Sequence, residues 1–331
     1  MPDGWNLKKV LVTGAGGFIA SHLVESLVER CAHVRAFVRY NSRADLGLLR
    51  QLPEQTISQV EVIFGDLRDL QAVREAAKGV DLVFHLGALI AIPYSYLHPA
   101  EVVETNVIGT MNVLLAVRDL NIPRVVHTST SEVYGTALRV PIDEDHPLQG
   151  QSPYSASKIG ADKLAESFYR SYGLPVVTIR PFNTYGPRQS ARAVIPTIIS
   201  QALTRDRLRL GSLDTLRDFT YVSDTVEGFI KGAQAANVEG ETINLGTGSE
   251  VSVGQLAETI CGIVGKPLLI EQDPERLRPA KSEVMRLLSD NTRARRLLGW
   301  QPEVGLRQGL EQTVTWVRQH LDLYHPDLYQ R

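Results

Sequence analysis

The chain has 331 residues, of which 43% are hydrophobic and 22% are charged, and its formal net charge is −2. This composition suits a globular protein with a large core, and it excludes non-specific nucleic-acid binding through a basic surface. Two cysteines, Cys31 and Cys261, stand far apart and indicate neither a disulfide framework nor a metal site. The N-terminal segment 1–6 is polar, unlike a signal peptide, and no uninterrupted apolar run is long enough to span a bilayer. We therefore expect a cytoplasmic protein without a membrane segment.

Short apolar strands alternate with helix-length segments up to residue 180. Strands are predicted at 10–12, 34–38, 60–64, 81–84, 124–128 and 176–179, and helices at 21–30, 70–78, 103–120 and 155–172. This alternation is typical of βαβ units, whose right-handed crossovers place helices on both faces of a parallel sheet. We predict an α/β fold, a Rossmann-type doubly wound parallel sheet with a smaller C-terminal α/β lobe. The lobe is expected to cover the sheet edge where such folds bind ligands.

A glycine-rich turn, Thr13-Gly-Ala-Gly-Gly-Phe-Ile-Ala20, joins the first strand to the first helix. Gly14 permits a tight turn, and Gly17 lets the backbone approach a pyrophosphate. The free N–H groups and the dipole of a helix N-terminus favour such an anion. In this strand–turn–helix context the pattern predicts a dinucleotide site, with Phe18 and Ile19 in its first helical turn.

The end of the second strand bears on the choice of dinucleotide. Enzymes that prefer NAD place an acidic residue there to bind the ribose hydroxyls, whereas this chain reads Val38-Arg-Tyr-Asn-Ser-Arg43. Arg39, Ser42 and Arg43 are suited to hold a 2′-phosphate, which favours NADP slightly. Asp66, after the third strand, is a candidate acceptor for the adenine amino group. The competing interpretations are that Arg39 is merely an exposed residue at the end of a strand and that Asp66 caps a turn.

Tyr154 and Lys158 are spaced i, i+4, so that on a helix they share one face. A lysine there is expected to lower the pKa of the phenol and make the phenolate a base near neutral pH. Thr130 offers a hydroxyl that can hydrogen-bond a substrate oxygen. Glu132 adds a carboxylate that simple alcohol oxidation does not need, which indicates chemistry beyond hydride transfer.

The glycine-rich turn, the Asp66-Leu67 pair, the tyrosine–lysine pair and the segment Arg180-Pro-Phe-Asn-Thr-Tyr-Gly-Pro-Arg188 together resemble the extended short-chain dehydrogenase/reductase family, whose members modify nucleotide sugars. The resemblance runs from Val10 to about Trp316. It implies a Rossmann domain over 1–180 with NAD or NADP, tightly bound and regenerated. It implies a mainly nucleotide-sugar-binding lobe over 181–331, some of whose segments return to the first domain. It also implies a homodimer formed through two long helices, those starting near Val103 and Tyr154.

The segment after the fifth strand separates the reactions of this family. Thr130-Ser131-Glu132 is similar to the motif of GDP-mannose 4,6-dehydratases, whereas glucose-type dehydratases carry an acid in place of Ser131 and 4-epimerases lack Glu132. The stretches 180–196 and 275–288 resemble the 4,6-dehydratases of legionaminic-acid biosynthesis. The resemblance implies a lyase that acts on a GDP- or UDP-linked hexose, with N-acetylglucosamine favoured. UDP-glucuronate decarboxylases also carry Thr-Ser-Glu and stay an alternative, followed by 4-epimerases and, from another class, a non-catalytic NAD(P)-binding sensor.

The resemblance assigns a role to each candidate residue. Tyr154 is the base at C4, Glu132 removes the C5 proton, and Ser131 or protonated Glu132 assists the departure of water. A decarboxylase needs a cation for the C6 carboxylate, for which Arg207, Arg217 and Arg278 are candidates. The expected catalytic residues are Thr130, Ser131, Glu132, Tyr154 and Lys158. The expected cofactor contacts are Gly14, Gly17, Phe18, Ile19, Arg39, Ser42, Asp66, Leu67, Leu86, Gly87, Ala88, Thr128, Tyr154, Lys158 and Pro181. The expected substrate contacts are Asn183, Arg188, Arg217, Arg278 and Glu283, and for the arginines surface salt bridging is the competing interpretation.

Two further residues are given structural interpretations. His85, after the fourth strand, is interpreted as shaping a loop rather than as a catalyst. Asn106 either ties adjacent backbone together or lies on a helix surface.

Overall fold

The computed structural model describes residues 4–5 and 8–324. Most of segment 1–6, on which the prediction about a signal peptide depends, lies outside the described residues, as do the outer ends of the ranges 1–180 and 181–331. Within the described residues, the strands in chain order are β1 Lys9–Thr13, β2 His33–Arg39, β3 Glu61–Gly65, β4 Leu82–His85, β5 Val125–Thr128, β6 Val176–Pro181, β7 Asn183–Tyr185, β8 Arg207–Leu210, β9 Leu216–Arg217, β10 Phe219–Tyr221, β11 Thr242–Leu245, β12 Val251–Ser252, β13 Leu269–Gln272 and β14 Arg286–Leu287.

Helices separate most of these strands. The α-helices are α1 Phe18–Glu29, α2 Glu54–Ile57, α3 Leu70–Ala77, α4 Ile92–Leu97, α5 Pro99–Val103, α6 Gly109–Asp119, α7 Pro153–Tyr172, α8 Val194–Thr204, α9 Val222–Gln234, α10 Val253–Val264, α11 Thr292–Leu298 and α12 Leu306–Gln319.

The main sheet has seven parallel strands in the order β11-β6-β5-β4-β1-β2-β3. The chain runs outward from β1 to β3, then crosses back to β4 on the other side of β1. This reversal opens a crevice at the carboxyl ends of β1 and β4, where doubly wound folds bind ligands. Buried residues form separate clusters, one containing Val10 and Val12 and another containing Leu11, because alternate side chains of a strand point to opposite faces. The predicted Rossmann-type α/β fold is confirmed.

Helix α7 carries the tyrosine–lysine pair, and its ends are defined by local sequence. The side chain of Ser152 accepts a hydrogen bond from the Ser155 backbone N–H in a capping box, and Pro153 occupies the first turn. The helix ends at Gly173, which adopts a left-handed conformation with φ 64°. The helix therefore begins two residues before the predicted segment 155–172, because the cap lies upstream of the apolar pattern.

The predicted helix 103–120 begins earlier than expected. Helical structure starts at Pro99 and passes through a π-helical turn, Glu104–Ile108, before α6. The continuous run Pro99–Asp119 meets the length and hydropathy criteria of a membrane span, with a mean hydropathy of 1.3, but half of that window is buried inside the protein. A core helix passes the same test, so this is weak evidence for a membrane segment.

The second half of the chain forms small sheets and also completes the large one. β7 pairs with β10, β8 with β13, and β9 with β12 and β14. β11 joins the main sheet beside β6, and α9 packs against β5 and β6. The substrate-side loops thus extend from a sheet to which both halves of the chain contribute strands.

Candidate active site

Two adjacent cavities lie at the carboxyl ends of the sheet strands and share Gly14 and Ala88. The larger, with a volume of about 360 Å³, contains all the residues predicted to be catalytic. It is lined by Gly14, Gly17, Phe18, Ile19, Ala20, Leu86, Ala88, Ile90, Ile92, Thr128, Ser129, Thr130, Ser131, Glu132, Tyr154, Lys158, Pro181, Phe182, Asn183, Thr184 and Gln189. The smaller is lined by Gly14, Phe37, Arg39, Gly65, Asp66, Leu67, Gly87, Ala88, Leu89 and Thr105.

The glycine-rich turn fits a dinucleotide. Gly14 has φ 66°, and a Cβ added there would lie 2.6 Å from the Cα of Gly87. The turn therefore needs glycine both for its backbone conformation and for the close approach of the two strand ends. Helix α1 begins at Gly17 without a side-chain cap, which leaves its first N–H groups available to an anion. This arrangement matches the cradle expected for the pyrophosphate of NAD(P).

The smaller cavity contains the residues expected at the adenosine end. Arg39 lines it, but its guanidinium also pairs with Glu101 at 3.3 Å. The carboxylate of Asp66 accepts hydrogen bonds from Arg68 at 2.7 and 3.0 Å, which lowers the pKa of Asp66. Ser42 lies in an exposed turn and lines neither cavity. The predicted 2′-phosphate pocket therefore lacks its serine, and its arginine is partly engaged.

Tyr154 and Lys158 point from α7 into the larger cavity. The phenol is hydrogen-bonded to Thr130, and the Lys158 ammonium donates to the carbonyl of Thr128 at 2.6 Å. Burial lowers the pKa of Lys158 to about 8 and raises that of Tyr154. The predicted lowering of the phenol pKa by Lys158 is not seen, because burial outweighs the other influences on Tyr154 in this structure.

Glu132 reaches the same cavity from a 3₁₀ turn, Ser131–Tyr134. The Thr130 hydroxyl caps this turn by accepting a hydrogen bond from the Glu132 backbone N–H at 3.2 Å. The short turn follows β5 directly, so the threonine and the glutamate are held beside the phenol of Tyr154. One structural element thus presents both a hydroxyl and a carboxylate to the oxidation site.

Two arginines from the C-terminal half converge on Glu132. The Arg278 guanidinium lies 4.0 Å from the Glu132 carboxylate and 3.8 Å from that of Glu283, and Arg217 lies 3.5 Å from Glu283. A buried Nη1 of Arg278 makes no hydrogen bond within the described chain. Burial lowers the pKa of Arg217. Three of the five predicted substrate contacts therefore meet at one wall of the site.

Of the other two predicted substrate contacts, one lines the cavity and the other does not. Asn183 lines the cavity and donates its amide N–H to the Asp218 carbonyl at 3.1 Å. Arg188 does not line the cavity, because its guanidinium forms an ion pair with Glu25 on α1 and contacts the Ser21 hydroxyl at 3.4 Å. That Arg188 binds substrate stays a prediction, and in this structure its guanidinium is engaged by Glu25.

Arg207, one of the cations considered for a C6 carboxylate, also lies elsewhere. It pairs with Glu271 at the exposed edge between β8 and β13. Arg217 and Arg278 stay candidates because both approach the catalytic cavity.

Buried polar residues that hold the strand ends were incompletely recognised in the sequence. His85 is buried between the hydroxyls of Thr13 and Thr110, at 2.8 and 3.0 Å, as expected of a loop-shaping residue. Asn106 is fully buried, and its side chain bonds the N–H and the carbonyl of Leu89. Asp162, which sequence reasoning missed, lies buried on α7. Its signal was its i, i+4 spacing from Lys158, on the helix face turned to the sheet.

The fold and the cavity can be compared with known proteins. A family model for GDP-mannose 4,6 dehydratase matches residues 11–313. A UDP-glucose 4-epimerase of Mycolicibacterium smegmatis is 35% identical, covering 94% of this chain and 98% of its own length. The chain belongs to the extended short-chain dehydrogenase/reductase family.

Relatives of this short-chain dehydrogenase/reductase carry different names. A UDP-N-acetyl-alpha-D-glucosaminuronate decarboxylase of Bacillus cytotoxicus is 33% identical, covering 94% of this chain and 98% of its own length. The solved structure of DesIV, a dTDP-glucose 4,6-dehydratase of Streptomyces venezuelae with NAD bound, has a TM-score of 0.86 and 30% identity, covering 96% of this chain and 99% of its own. Because these relatives are named for epimerisation, decarboxylation and dehydration, family membership alone leaves the reaction open.

Proposed function

We propose that this chain is a nucleotide-sugar 4,6-dehydratase, a hydro-lyase that converts a GDP- or UDP-linked hexose into its 4-keto-6-deoxy form. The observation that supports this most strongly is the presence of Glu132 in one cavity with Tyr154 and Lys158. Oxidation at C4 needs a base, whereas removal of water across C5 and C6 needs a second group that accepts a proton from carbon. Glu132 is suited to that second role.

The first half of the reaction uses the residues of α7 and β5. NAD(P) held at the glycine-rich turn beside Tyr154 and Lys158 would supply a hydride acceptor for C4 and the hydride that C6 receives in the second half. Tyr154 removes the proton of the C4 hydroxyl while Thr130 orients that oxygen. The Lys158 ammonium keeps positive charge beside the phenolate.

The second half begins at the 4-ketone, which acidifies the C5 hydrogen. Glu132 takes the C5 proton, and the C5–C6 double bond forms as the C6–O bond breaks. The departing hydroxyl receives a proton from Glu132 or Ser131 and leaves as water. Addition of hydride at C6 and of a proton at C5 then completes the 4-keto-6-deoxy sugar.

The wall formed by Arg217 and Arg278 supports a negatively charged substrate. Guanidinium groups match the oxygens of a diphosphate, and the buried Nη1 of Arg278 is available for such a contact. We infer a nucleoside-diphosphate hexose, with N-acetylglucosamine as the favoured sugar because stretches 180–196 and 275–288 resemble dehydratases that act on that sugar.

Decarboxylation of a nucleotide-linked glucuronic acid is the second candidate, since Arg217 and Arg278 lie close to Glu132. A C6 carboxylate would find two guanidinium groups there. The same guanidinium groups fit the oxygens of a diphosphate, so the two arginines do not distinguish the reactions. Dehydration is favoured because the stretches 180–196 and 275–288 resemble 4,6-dehydratases.

We also propose which dinucleotide binds and which oligomer the protein forms. NAD is favoured over NADP because the guanidinium of Arg39 is engaged by Glu101. A homodimer through α7 and the helical run before β5 is supported by exposed apolar side chains at Val103 and Ile108 on that run and at Leu97 just before it. Light scattering of the purified protein measures the assembly, and extraction of the bound nucleotide identifies the cofactor.

Incubation with a panel of UDP- and GDP-linked hexoses and hexuronic acids, followed by mass spectrometry, tests the reaction. The proposal expects a product lighter by one water. A product lighter by one carbon dioxide, or an epimer of unchanged mass, would overturn it in favour of the corresponding alternative. The variant Tyr154→Phe serves as the matched inactive control, because it lacks only the hydroxyl assigned to the first step.

A further inference from the structure

Asp162 lies on α7, one turn beyond Lys158, on the face of the helix that is turned to the sheet. The residue is only 6% exposed. The Ser129 hydroxyl donates to one carboxylate oxygen at 2.6 Å, and His127 Nε2 lies 3.1 Å from the other. Both oxygens therefore have partners from the end of β5.

Arg180 holds the same carboxylate from β6. Its Nε and Nη2 donate to one oxygen of Asp162 at 3.2 and 2.9 Å, and its Nη1 donates to the Tyr134 hydroxyl at 2.8 Å. The Tyr134 hydroxyl in turn donates to Asn244 at 2.8 Å. A buried ion pair is tolerated when hydrogen bonds satisfy its remaining groups, and this network meets that condition.

Asp162 and Arg180 do not line the catalytic cavity but line a separate cavity of about 540 Å³. Tyr154, Lys158 and Asp162 recur at intervals of four residues along one face of α7. Lys158 donates to the carbonyl of Thr128, which stands between His127 in β5 and Ser129 just after it, the two residues that bind Asp162. The carboxylate thus ties α7 to the strand segment that presents Thr130 to the phenol.

Building on the proposed function, and specifically on its oxidation at C4, we propose that Asp162 is a positioning residue that fixes the helix bearing Tyr154 and Lys158 against the ends of β5 and β6. It acts through those two residues without touching the substrate. It also supplies the buried negative charge that opposes the loss of the Lys158 proton.

The charges around Lys158 support this second effect. Burial lowers the pKa of both neighbouring histidines, which are therefore neutral near pH 7, and the neighbouring arginine is paired with Asp162 itself. Asp162 is the carboxylate that raises the pKa of Lys158 against the effect of burial. Among the described residues, the groups that interact electrostatically with Lys158 are Asp162 on α7, His85 on β4 and His127 on β5, and Arg180 on β6 acts through its ion pair with Asp162. Tyr154 lies one turn before Lys158 on the same face of α7.

The test compares Asp162→Asn and Ser129→Ala with Tyr134→Phe. The first two variants weaken the contacts of the carboxylate, whereas the third removes a hydrogen bond at the distal end of the same network. Stopped-flow absorbance follows reduction of the bound cofactor on mixing with a nucleotide sugar across a pH series. Hydrogen exchange of the cofactor-free proteins, read by mass spectrometry, reports the order of helix 153–172.

For Asp162→Asn we expect the rate of cofactor reduction to fall at least about tenfold. The alkaline limb of its pH–rate profile should move about one pH unit toward acid, because Lys158 loses its buried counter-charge. Ser129→Ala should change both quantities in the same direction but less. Hydrogen exchange across 153–172 should rise in both variants. Tyr134→Phe is expected to leave the alkaline limb at its wild-type position.

Equal rates and an unmoved alkaline limb in a folded Asp162→Asn or Ser129→Ala protein would overturn the inference. Ser129→Ala keeps the test open if Asp162→Asn does not fold, because the ion pair with Arg180 is retained. Absence of cofactor reduction in the wild type with every sugar would instead contradict the proposed function. The two failures are thereby distinguished.

Discussion

The guanidinium of Arg278 lies 4.0 Å from the carboxylate of Glu132, although one residue follows β5 and the other belongs to the loop before β14. The same guanidinium lies 3.8 Å from Glu283. Glu132 is thus the meeting point of the oxidation site and the substrate wall. A substrate that draws Arg278 toward its diphosphate would change the charge beside the group assigned to C5.

Replacing Glu132 with glutamine should separate the two halves of the reaction. Glutamine keeps the size and polarity of the side chain but cannot accept the C5 proton. We expect product formation to fall at least about 100-fold, in keeping with the usual size of general base catalysis, while cofactor reduction on mixing with substrate is retained. Mass spectrometry of the product and absorbance of the reduced cofactor measure the two quantities. Dehydration at the wild-type rate would show that another group acts at C5.

Replacing Arg278 with alanine should weaken substrate binding. Loss of a guanidinium–phosphate contact is expected to lower kcat/KM about tenfold or more, mainly through KM. Arg207→Ala is the matched control, because that arginine is exposed and pairs with Glu271. Equal kinetics for the two variants would exclude Arg278 from the substrate site.

The pH dependence of the oxidation step should report Lys158. Burial depresses its pKa from 10.5 to about 8, so the ammonium is present below pH 8 and is lost above it. The rate of cofactor reduction should therefore decline on the alkaline side of about pH 8. Lys158→Arg retains a cation at higher pH and should lack this decline, even if its rate at neutral pH is reduced. An alkaline limb unchanged in that variant would assign the titration to another group.

His22 should make stability sensitive to mild acid. Its ring contacts the Pro187 carbonyl at 2.9 Å, and burial lowers its pKa from 6.5 to about 4. The unfolded chain therefore binds more protons between these values, and the free energy of unfolding falls as the pH drops from 6.5 to 4. Between pH 7 and pH 5 the loss attributable to this residue is expected to be about 2 kcal/mol.

Urea unfolding of the wild type and of His22→Gln at pH 7 and pH 5 measures this loss. Glutamine can still donate to the carbonyl but does not titrate, so its variant should lose less stability between the two pH values. Identical losses would show that other groups account for the acid sensitivity.

The fold and the catalytic cavity were accessible from sequence because their signals are local. The glycine-rich turn, the strand–helix alternation and the spacing of Tyr154 and Lys158 each depend on a few neighbouring residues. Thr130 and Glu132 were recognised for the same reason, since they follow a predicted strand directly.

Partners that meet across long stretches of chain were not accessible in this way. Arg188 lies in a motif that suggests phosphate binding, yet Glu25 on α1 captures its side chain. Arg207 and Arg217 look alike in sequence, but one is exposed and one is buried beside the site. Asp162 shares a helix face with Lys158 by its i, i+4 spacing, but the sequence does not show which residues of β5 and β6 pack against that face.

Strand β11 has a consequence for how this protein can be divided. Thr242–Leu245 hydrogen-bonds to β6, every residue of which is buried. A fragment ending near residue 180 would expose that hydrophobic strand as an open edge, a surface prone to pair with other chains. Exchange of substrate specificity between relatives by grafting must therefore transfer loops and leave Thr242–Leu245 in place, because the two halves are not separable modules.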